Sequence, residues 1–327
     1  MIVVRAPLRI SIGGGGTDLP FFASKYGGSL TSAAIDKYIY MIIEKRYFYN
    51  DFLIRYSKIE NPKKIEDIDH LLVKEALKYL DIKDPVEITS IADVPSNTGL
   101  GSSSAFLVAL LKGLHTYKQE DVSAKRLAEE AADIEINILK APIGKQDQYI
   151  SSFGGVIHLD IDKKNNVVVS PLDVSYSTLE DLENNLLMFR IGEARSASEI
   201  LSNQAKEAES EENKMKQMIV IKEIGEDIKK ALEKGDTKKF GQWLNVHWES
   251  KKSFGKMTSP EINNAYEIAL QNGAVGGKIV GAGGGGFLMV YCETHKEKLR
   301  EAMKKLGLKE MPFRFDREGC KVIYNGK

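Results

Sequence analysis

The sequence predicts an α+β protein of two domains, and three observations lead to that prediction. Short apolar, β-branched segments dominate the first third of the chain, which is typical of strands. Longer segments with apolar residues at helical spacing follow, and strands alternate with helices again toward the C-terminus. The length of 327 residues is enough for two domains with a substantial core. We expect a first domain over residues 1–170 and a second over residues 171–327.

The first domain is expected to begin with strands and to continue with alternating helices and strands. The expected strands cover residues 2–4, 8–12, 29–35, 38–44, 86–91, 156–161 and 167–169. The expected helices cover residues 65–80, 102–117 and 121–139. The helix at 102–117 has the clearest pattern, because Phe106, Leu107, Leu110, Leu111 and Leu114 share one side.

The second domain is expected to open with a strand at 186–191 and a long polar helical region at 198–234 that Gly235 ends. Asp236 can cap the next helix, and Ser259-Pro260 begins a further one. The apolar stripe after Asp236 contains His247 and both tryptophans, and we interpret it as core.

Composition excludes several classes of function. Lys+Arg and Asp+Glu both number 46, so the basic excess of a general nucleic-acid binder is missing. No run of eighteen apolar residues predicts a membrane span, and the first residues do not form a signal peptide. Two cysteines, Cys292 and Cys320, predict reduced thiols in a cytoplasmic protein. The sequence carries no signal for the oligomeric state.

Three glycine-rich segments lie far apart, and each adjoins residues suited to holding phosphate. We name them the first (Gly13–Gly16), second (Pro95–Ala105) and third (Gly281–Gly286) glycine segments. Glycine lets the backbone approach a ligand closely, although it costs roughly 0.5–1 kcal/mol in regular structure. Three such segments in one chain predict a backbone that approaches an anionic ligand at several points.

The second glycine segment is predicted to bind phosphate. A strand precedes Gly99-Leu-Gly-Ser-Ser-Ser104 and a helix follows it. The helix N-terminus offers unpaired N–H groups and about half a positive charge. Serine hydroxyls can bond phosphate or ligate a hard cation such as Mg²⁺. Capping alone would require one serine, whereas three are present.

The first glycine segment is followed by Thr17 and Asp18, with Arg9 upstream on the strand. A carboxylate held by a glycine loop near an arginine suits a ligand rich in hydroxyl groups. The alternative is a turn that Asp18 caps.

The third glycine segment resembles a dinucleotide-binding fingerprint, which requires a helix after it. Here the apolar Phe287–Tyr291 predicts a strand, and a Walker loop does not fit either. We therefore expect a glycine-rich turn between two strands, with a flexible hairpin as the alternative.

One further segment, Pro142–Tyr149, places Asp147 between two glutamines just after a helix. An aspartate there can accept a proton from an attacking hydroxyl. Glu135, twelve residues earlier, is a candidate Mg²⁺ ligand. A purely structural role for this segment is the alternative.

Together these motifs resemble those of the GHMP kinase superfamily, which includes galactokinase, homoserine kinase, mevalonate kinase and phosphomevalonate kinase. The three family motifs resemble Arg5–Asp18, Pro95–Ala105 and Lys278–Phe287, in that order across nearly the whole chain. The resemblance implies an N-terminal domain like ribosomal protein S5 domain 2 and a ferredoxin-like C-terminal domain. It also implies that ATP and a sugar bind between them.

The resemblance implies direct phosphoryl transfer from ATP to a sugar hydroxyl. Asp147 would deprotonate that hydroxyl, and Arg9 would stabilise charge on the transferred group. Ser103, with Ser102 as the alternative, and Glu135 would position Mg²⁺. The implied ATP-binding residues are Pro95, Gly99, Leu100, Gly101, Ser102, Ser103, Ser104, Gly283 and Gly284.

Within the superfamily the chain most resembles the sugar kinases that act on D-glycero-D-manno-heptose 7-phosphate. The residues that carry this resemblance are Gly13–Asp18, Ala34–Tyr38 and Gly144–Tyr149. Galactokinases have Glu and His where Gly15 and Gly16 stand here. The implied reaction converts the 7-phosphate to the 1,7-bisphosphate for a nucleotide-activated heptose (GDP-heptose) used in surface polysaccharide.

Gly15, Thr17 and Asp18 would then contact the sugar. A substrate that already carries phosphate also requires basic residues, for which the candidates are Lys145, Arg190 and Arg195. The alternative for these three is solvated surface cations. Alternatives for the whole protein are a fucokinase- or galactokinase-like enzyme, a non-catalytic sugar or nucleotide sensor on the same fold, and a dinucleotide-dependent oxidoreductase.

Overall fold

Two β-sheets and the helices packed on them make up the computed structural model, which describes residues 1–192, 197–210, 212–252, 254 and 257–326. In chain order the strands of the described residues are β1 (Ile2–Gly13), β2 (Gly28–Lys45), β3 (Leu53–Arg55), β4 (Ile59–Glu60), β5 (Val86–Ala92), β6 (Val156–Ile161), β7 (Val167–Pro171), β8 (Leu186–Ile191), β9 (Gly276–Ile279), β10 (Gly286–Tyr291), β11 (Lys309–Glu310) and β12 (Lys321–Asn325).

The α-helices of the same residues are α1 (Pro20–Tyr26), α2 (Leu71–Tyr79), α3 (Ser102–Tyr117), α4 (Ala124–Ala132), α5 (Gln146–Phe153), α6 (Tyr176–Asn185), α7 (Ala197–Ser210), α8 (Glu212–Glu233), α9 (Thr237–Lys252), α10 (Pro260–Gln271) and α11 (Lys296–Lys305). A 3₁₀ turn covers Ile65–Asp67, and a π-helical segment covers Asp133–Ile138.

The first sheet contains eight of the described strands, in the spatial order β12-β1-β2-β5-β3-β4, with β6 paired to β2 and β7 paired to β6. The four strands predicted at the N-terminus are in fact two long ones, β1 and β2, paired antiparallel. The sequence prediction divided each of these long strands into two shorter ones, near a position where their pairing is irregular. The register shifts between Pro7 and Leu8, where Tyr38 and Ile35 are the respective partners, and such a bulge accommodates a proline that has no N–H to donate.

Helix α3 covers one face of this sheet and has the bounds that the sequence predicts. Four residues of its apolar side, Leu107, Leu110, Leu111 and Leu114, are fully buried in the main core with residues of β1 and β2. Burying a leucine side chain stabilises a fold by roughly 1.5–3 kcal/mol, so this face fixes the position of the helix N-terminus.

The helix predicted over residues 121–139 is α4 followed by the π-helical segment. Ser123 caps α4 by accepting a hydrogen bond from the Arg126 N–H. The wider turn of a π-helix often occurs at functional sites. Here it carries Glu135, which is buried.

The second sheet has the order β11-β8-β10-β9, and its pairs are antiparallel. Helices lie between β8 and β9 and between β10 and β11, so the strands follow the order 4-1-3-2 of a ferredoxin-like fold, as predicted. The polar region predicted at 198–234 is α7 and α8. Helix α9 lies directly on β9, where a Cβ on Gly276 would stand 2.1 Å from the carbonyl oxygen of Gly241.

The last strand, β12, pairs with β1 and therefore lies in the first sheet. The domain boundary near residue 170 stays a prediction. The pairing of β12 with β1 shows that the chain returns to the first sheet near its end. Cys292 and Cys320 are both free, the first buried and the second partly exposed. Among the described residues no helix has the length and apolar character needed to cross a bilayer.

Candidate active site

A cavity of about 380 Å³ lies where the three glycine segments approach one another. Its walls come from β1, the starts of α3 and α5, the π-helical segment and the end of α9. It is lined by Arg9, Ser11, Gly15, Gly16, Asp18, Leu19, Asn97, Gly99, Gly101, Ser102, Ser103, Ser104, Glu135, Ala141, Ile143, Gly144, Gln146, Asp147, Leu201, Lys251, Gly281 and Ala282.

The second and third glycine segments touch each other. A Cβ on Gly99 would stand 2.5 Å from the Val280 carbonyl oxygen, and one on Gly281 would stand 2.5 Å from the Gly99 carbonyl oxygen. Both residues have left-handed backbones, with φ of +80° and +82°. Only glycine combines that conformation with so close an approach at little cost. The third segment therefore supports the loop that precedes α3, as a turn between β9 and β10.

Arg9 and Asp147 form a bidentate ion pair at the centre of the cavity. Nε of Arg9 donates to Oδ1 of Asp147 at 2.7 Å, and Nη2 donates to Oδ2 at 2.7 Å. Arg9 is 6% exposed and also donates to the carbonyl oxygen of Gly99. Bidentate, charge-assisted bonds fix orientation as well as adding energy. The pair thus ties the carboxylate of α5 to the loop before α3.

Asp18 lines the same cavity and is held by backbone N–H groups. Gln146 N donates to Oδ2 at 3.0 Å, and Gly16 N donates to Oδ1 at 3.2 Å. Burial raises the pKa of Asp18, the Gln146 N–H opposes that rise, and the charge of Asp147 adds to it. A Cβ on Gly144 would stand 2.0 Å from Oδ2, so Asp18 reaches this position because residue 144 is glycine.

Glu135 points from the π-helical segment toward the start of α3. It accepts hydrogen bonds from Ser104 Oγ at 2.7 Å, Gln148 Nε2 at 2.5 Å and Ser103 Oγ at 3.3 Å. Burial raises the pKa of Glu135 to about 7, against the opposing effect of these neutral donors. A carboxylate with neutral partners beside serine hydroxyls suits a hard divalent cation.

A second cavity, of about 570 Å³, adjoins the first and shares Asn97, Ser102 and Ser103 with it. Its other walls are mostly apolar and aromatic: Ile39, Tyr56, Ser57, His70, Leu72, Ser90, Ile91, Ala92, Val94, Pro95, Ser96 and Phe106. The His70 and Phe106 rings are stacked, with centroids 4.8 Å apart. Sequence reasoning missed this cavity because its aromatic residues lie on separate elements and form no local motif.

Several residues predicted for the site do not line the first cavity. Leu100 is buried in the core, and the Thr17 hydroxyl bonds to the carbonyl oxygens of Gly14 and Ser29, so it holds the first glycine segment in shape. Gly283 and Gly284 lie beside Met257, to whose carbonyl oxygen Gly284 N donates at 2.8 Å.

Two of the three cations predicted for a substrate phosphate lie outside the lining of the first cavity. Lys145 donates to the carbonyl oxygen of Asn165 at 2.6 Å, outside the cavity lining. Arg190 is exposed on β8, between the buried Phe189 and Ile191. Arg195 lies outside the described residues.

Lys251, in the last turn of α9, lines the cavity and was missed. No sequence signal singled it out, since it stands in a run of ordinary helical lysines.

Comparison with known proteins gives a consistent result over nearly the whole chain. The model of the GHMP kinases N terminal domain matches residues 71–155, and that of the GHMP kinases C terminal domain matches residues 228–308. A D-glycero-alpha-D-manno-heptose 7-phosphate kinase of Campylobacter jejuni is 29% identical over 333 residues, with 98% of each chain covered. A galactokinase of Pyrococcus furiosus is 25% identical, covering 95% of this chain and 96% of the relative.

Among solved structures, a D-glycero-D-manno-heptose 1-phosphate kinase from Bacteroides thetaiotaomicron superposes with a TM-score of 0.82. It is 25% identical, and the superposition covers 100% of both chains.

Proposed function

The chain belongs to the GHMP kinase superfamily, and on that premise we propose that it phosphorylates the anomeric hydroxyl of D-glycero-D-manno-heptose 7-phosphate. It is a sugar kinase of that superfamily, a phosphotransferase that uses ATP and acts on a hydroxyl group. The proposed product is the 1,7-bisphosphate, a precursor of nucleotide-activated heptose. A cytoplasmic location, where ATP is supplied, is part of the same proposal.

The observation that supports the proposal most directly is the Arg9–Asp147 pair, which bonds to the loop before α3 through the Gly99 carbonyl oxygen and lines the same cavity as Asp18. We assign the loop side to the ATP phosphates, since the N-terminus of α3 faces the cavity there. Asp18, presented by backbone N–H groups, is assigned to the sugar hydroxyls. The reacting hydroxyl would then meet the γ-phosphorus beside Asp147.

In the proposed reaction Asp147 orients the anomeric hydroxyl and takes its proton as the oxygen bonds to the γ-phosphorus. The bond from that phosphorus to the β,γ-bridging oxygen breaks, and ADP leaves. Arg9 orients the Asp147 carboxylate through the bidentate pair and places positive charge beside the transferred group. Phosphoryl transfer needs little covalent help, so positioning and charge stabilisation supply most of the acceleration.

Magnesium would be held by Glu135 with Ser103 or Ser102, where it would neutralise charge on the ATP phosphates. The residues fit this cation, because Glu135 has neutral hydroxyl and amide partners and faces the cavity. Ser104 lies nearer to Glu135 than Ser103 does, and we assign it to holding that carboxylate in place.

The second cavity is proposed to receive the base of ATP. It joins the first cavity at Ser102 and Ser103, and its apolar and aromatic walls suit a flat heterocycle. Pro95 would contact the nucleotide here rather than at the phosphates.

The choice of sugar rests on two observations. The Campylobacter jejuni relative, whose name gives heptose 7-phosphate as its substrate, matches at full length. The first glycine segment has Gly15 and Gly16 where galactokinases have Glu and His, and both glycines line the cavity.

A coupled ADP-release assay tests the proposal, with D-glycero-D-manno-heptose 7-phosphate, fucose, mannose and galactose offered in parallel. Heptose 7-phosphate should give a kcat/KM at least tenfold above each of the others. A higher kcat/KM with fucose or galactose would contradict the proposed substrate.

A further inference from the structure

Two lysines of the C-terminal half are buried in the interior, and one of them lines the first cavity. Lys251 of α9 is 8% exposed and lines the cavity, and Lys278 of β9 is 2% exposed. The Nζ atom of Lys278 has no hydrogen-bond partner within the part of the chain that the structure describes. Since α9 packs on β9, both side chains lie in the same region of the interior.

The surroundings of these lysines hold an excess of positive charge. The charges of Asp18 and Arg9 act on the pKa of Lys251, and those of Lys251 and Arg9 act on the pKa of Lys278. The carboxylate of Asp147 is already engaged by the bidentate pair with Arg9. His247 lies one helical turn before Lys251, is fully buried, and has both ring nitrogens without a partner in the described residues.

Buried cations without partners are unfavourable, and their pKa values fall as a consequence. Burial lowers the pKa of Lys251 to about 8 and that of Lys278 well below its usual value. Burial likewise lowers the pKa of His247, and the nearby Lys278 and Lys251 charges add to the effect. An anion that enters the cavity would relieve this unfavourable state.

We infer that Lys251, supported by Lys278, forms the site for the phosphate that the sugar substrate already carries. This inference rests on the proposed function. Lys251 lines the same cavity as Asp18, whose charge acts on it and to which the sugar hydroxyls are assigned, whereas the ATP phosphates are assigned to the start of α3. The site would select sugar phosphates over free sugars.

The test is the variant Lys251→Met, which removes the charge and keeps most of the side-chain volume. Steady-state kinetics are measured with heptose 7-phosphate, with the free heptose and with ATP. Loss of a charged hydrogen bond predicts a rise of about tenfold to a hundredfold in KM for heptose 7-phosphate. The KM for ATP and the kcat/KM for free heptose should change less than about twofold.

Lys252→Met is the matched control. Lys252 is the next residue of α9, and its Nζ is paired with Glu249 at 2.6 Å and lies over the Tyr266 ring, outside the cavity lining. We expect this variant to keep the wild-type KM for heptose 7-phosphate. Lys251→Arg, which restores the charge, should recover most of the lost affinity even if Lys251→Met folds poorly.

Lys278→Met provides an independent check, because replacing a buried charge by an apolar group of similar volume is often neutral or stabilising. It should raise the KM for heptose 7-phosphate without lowering the melting temperature. Unchanged KM for heptose 7-phosphate in both Lys251→Met and Lys278→Met would overturn the inference and leave the kinase function intact. A selective rise in KM for ATP would overturn it too, by assigning the amine to the nucleotide.

Failure of the proposed function gives a different result. A wild-type protein that phosphorylates free sugars and no sugar phosphate would refute the proposed substrate, and the inference with it, before any variant is made.

Discussion

At the scale of single residues, the proposal depends most on Asp147. Asp147→Asn keeps the shape of the side chain but cannot accept the proton of the hydroxyl. We expect turnover to fall by roughly 10²–10⁴, the usual contribution of a positioned general base. Steady-state kinetics measure this effect, and calorimetry with a non-hydrolysable ATP analogue should show unchanged nucleotide binding. The exposed Asp173 provides a control, since Asp173→Asn should be as active as wild type. Near-normal turnover of Asp147→Asn would refute the base assignment.

The pH dependence of kcat/KM for heptose 7-phosphate reports on the charge of Lys251. With the pKa lowered to about 8, chiefly by burial, the ammonium is charged below pH 8 and loses its charge as the pH rises above it. The titratable and charged groups whose charges are coupled to that of Lys251 are Arg9, Asp18, Lys278 and His247. We therefore expect kcat/KM for heptose 7-phosphate to fall above about pH 8, approaching tenfold per pH unit.

Lys251→Arg should remove this fall, because an arginine stays protonated throughout the range. The kcat/KM for ATP, measured over the same pH series, serves as the internal comparison and should not show the same fall at high pH. A heptose 7-phosphate profile that stays flat from pH 7 to 9.5 in the wild type would contradict the role of the Lys251 charge.

The variant Gly144→Ala tests whether sugar binding depends on the position of the Asp18 carboxylate. A Cβ at residue 144 would stand 2.0 Å from Oδ2 of Asp18, so Gly144→Ala must displace that carboxylate. We expect the KM for the sugar to rise about tenfold to a hundredfold and the KM for ATP to stay within about twofold. Because both changes act through one carboxylate, Gly144→Ala combined with Asp18→Asn should be little worse than Asp18→Asn alone. Fully additive effects would show that Gly144 acts elsewhere.

At the scale of elements, the third glycine segment is predicted to support ATP binding by holding the loop before α3. Gly281→Ala would place a Cβ 2.5 Å from the Gly99 carbonyl oxygen, in a left-handed backbone with φ of +82°. That conformation alone costs a side chain roughly 1–2 kcal/mol. We expect the KM for ATP to rise about tenfold, as measured in the coupled assay.

The variant Gly307→Ala distinguishes the effect of the contact with Gly99 from the effect of a side chain in a left-handed backbone. Gly307 also has a left-handed backbone, with φ of +76°, but a Cβ there would meet nothing within 4 Å. It follows α11, away from the cavity lining. Its alanine variant should lose stability yet keep the KM for ATP. An equal rise in KM in both variants would mean that strain, and not the contact with Gly99, is responsible.

The sequence predicted elements well where one local pattern decides the structure. The five apolar residues of α3 and the glycines before it predicted the helix with its bounds, which the structure confirms. The predicted interruption of the first strand around Pro7 was wrong. The pairing of β1 with β2 continues there across a bulge that no local sequence pattern reveals. The π-helical turn at Glu135 was also missed, since its wider winding is set by packing and not by residue type.

At the scale of the whole molecule, the sequence predicted the residues of the candidate site that lie in motifs. Arg9, Asp18, Glu135 and Asp147 all line one cavity, although they come from four segments. Residues outside motifs were not predictable: Lys251 resembles any helical lysine, and only the tertiary packing of α9 on neighbouring elements brings it to the cavity. Arg190 is the opposite case, a basic residue near a strand end that is exposed to solvent.

The proposed reaction is phosphorylation of the anomeric hydroxyl of heptose 7-phosphate by ATP. Phosphorus NMR of the wild-type reaction with ATP and heptose 7-phosphate is its most direct test. We expect ATP to be converted to ADP while a second sugar phosphate resonance grows, coupled to the anomeric proton, beside the unchanged 7-phosphate signal. Release of inorganic phosphate without that resonance, or a new phosphate coupled to another sugar proton, would contradict it.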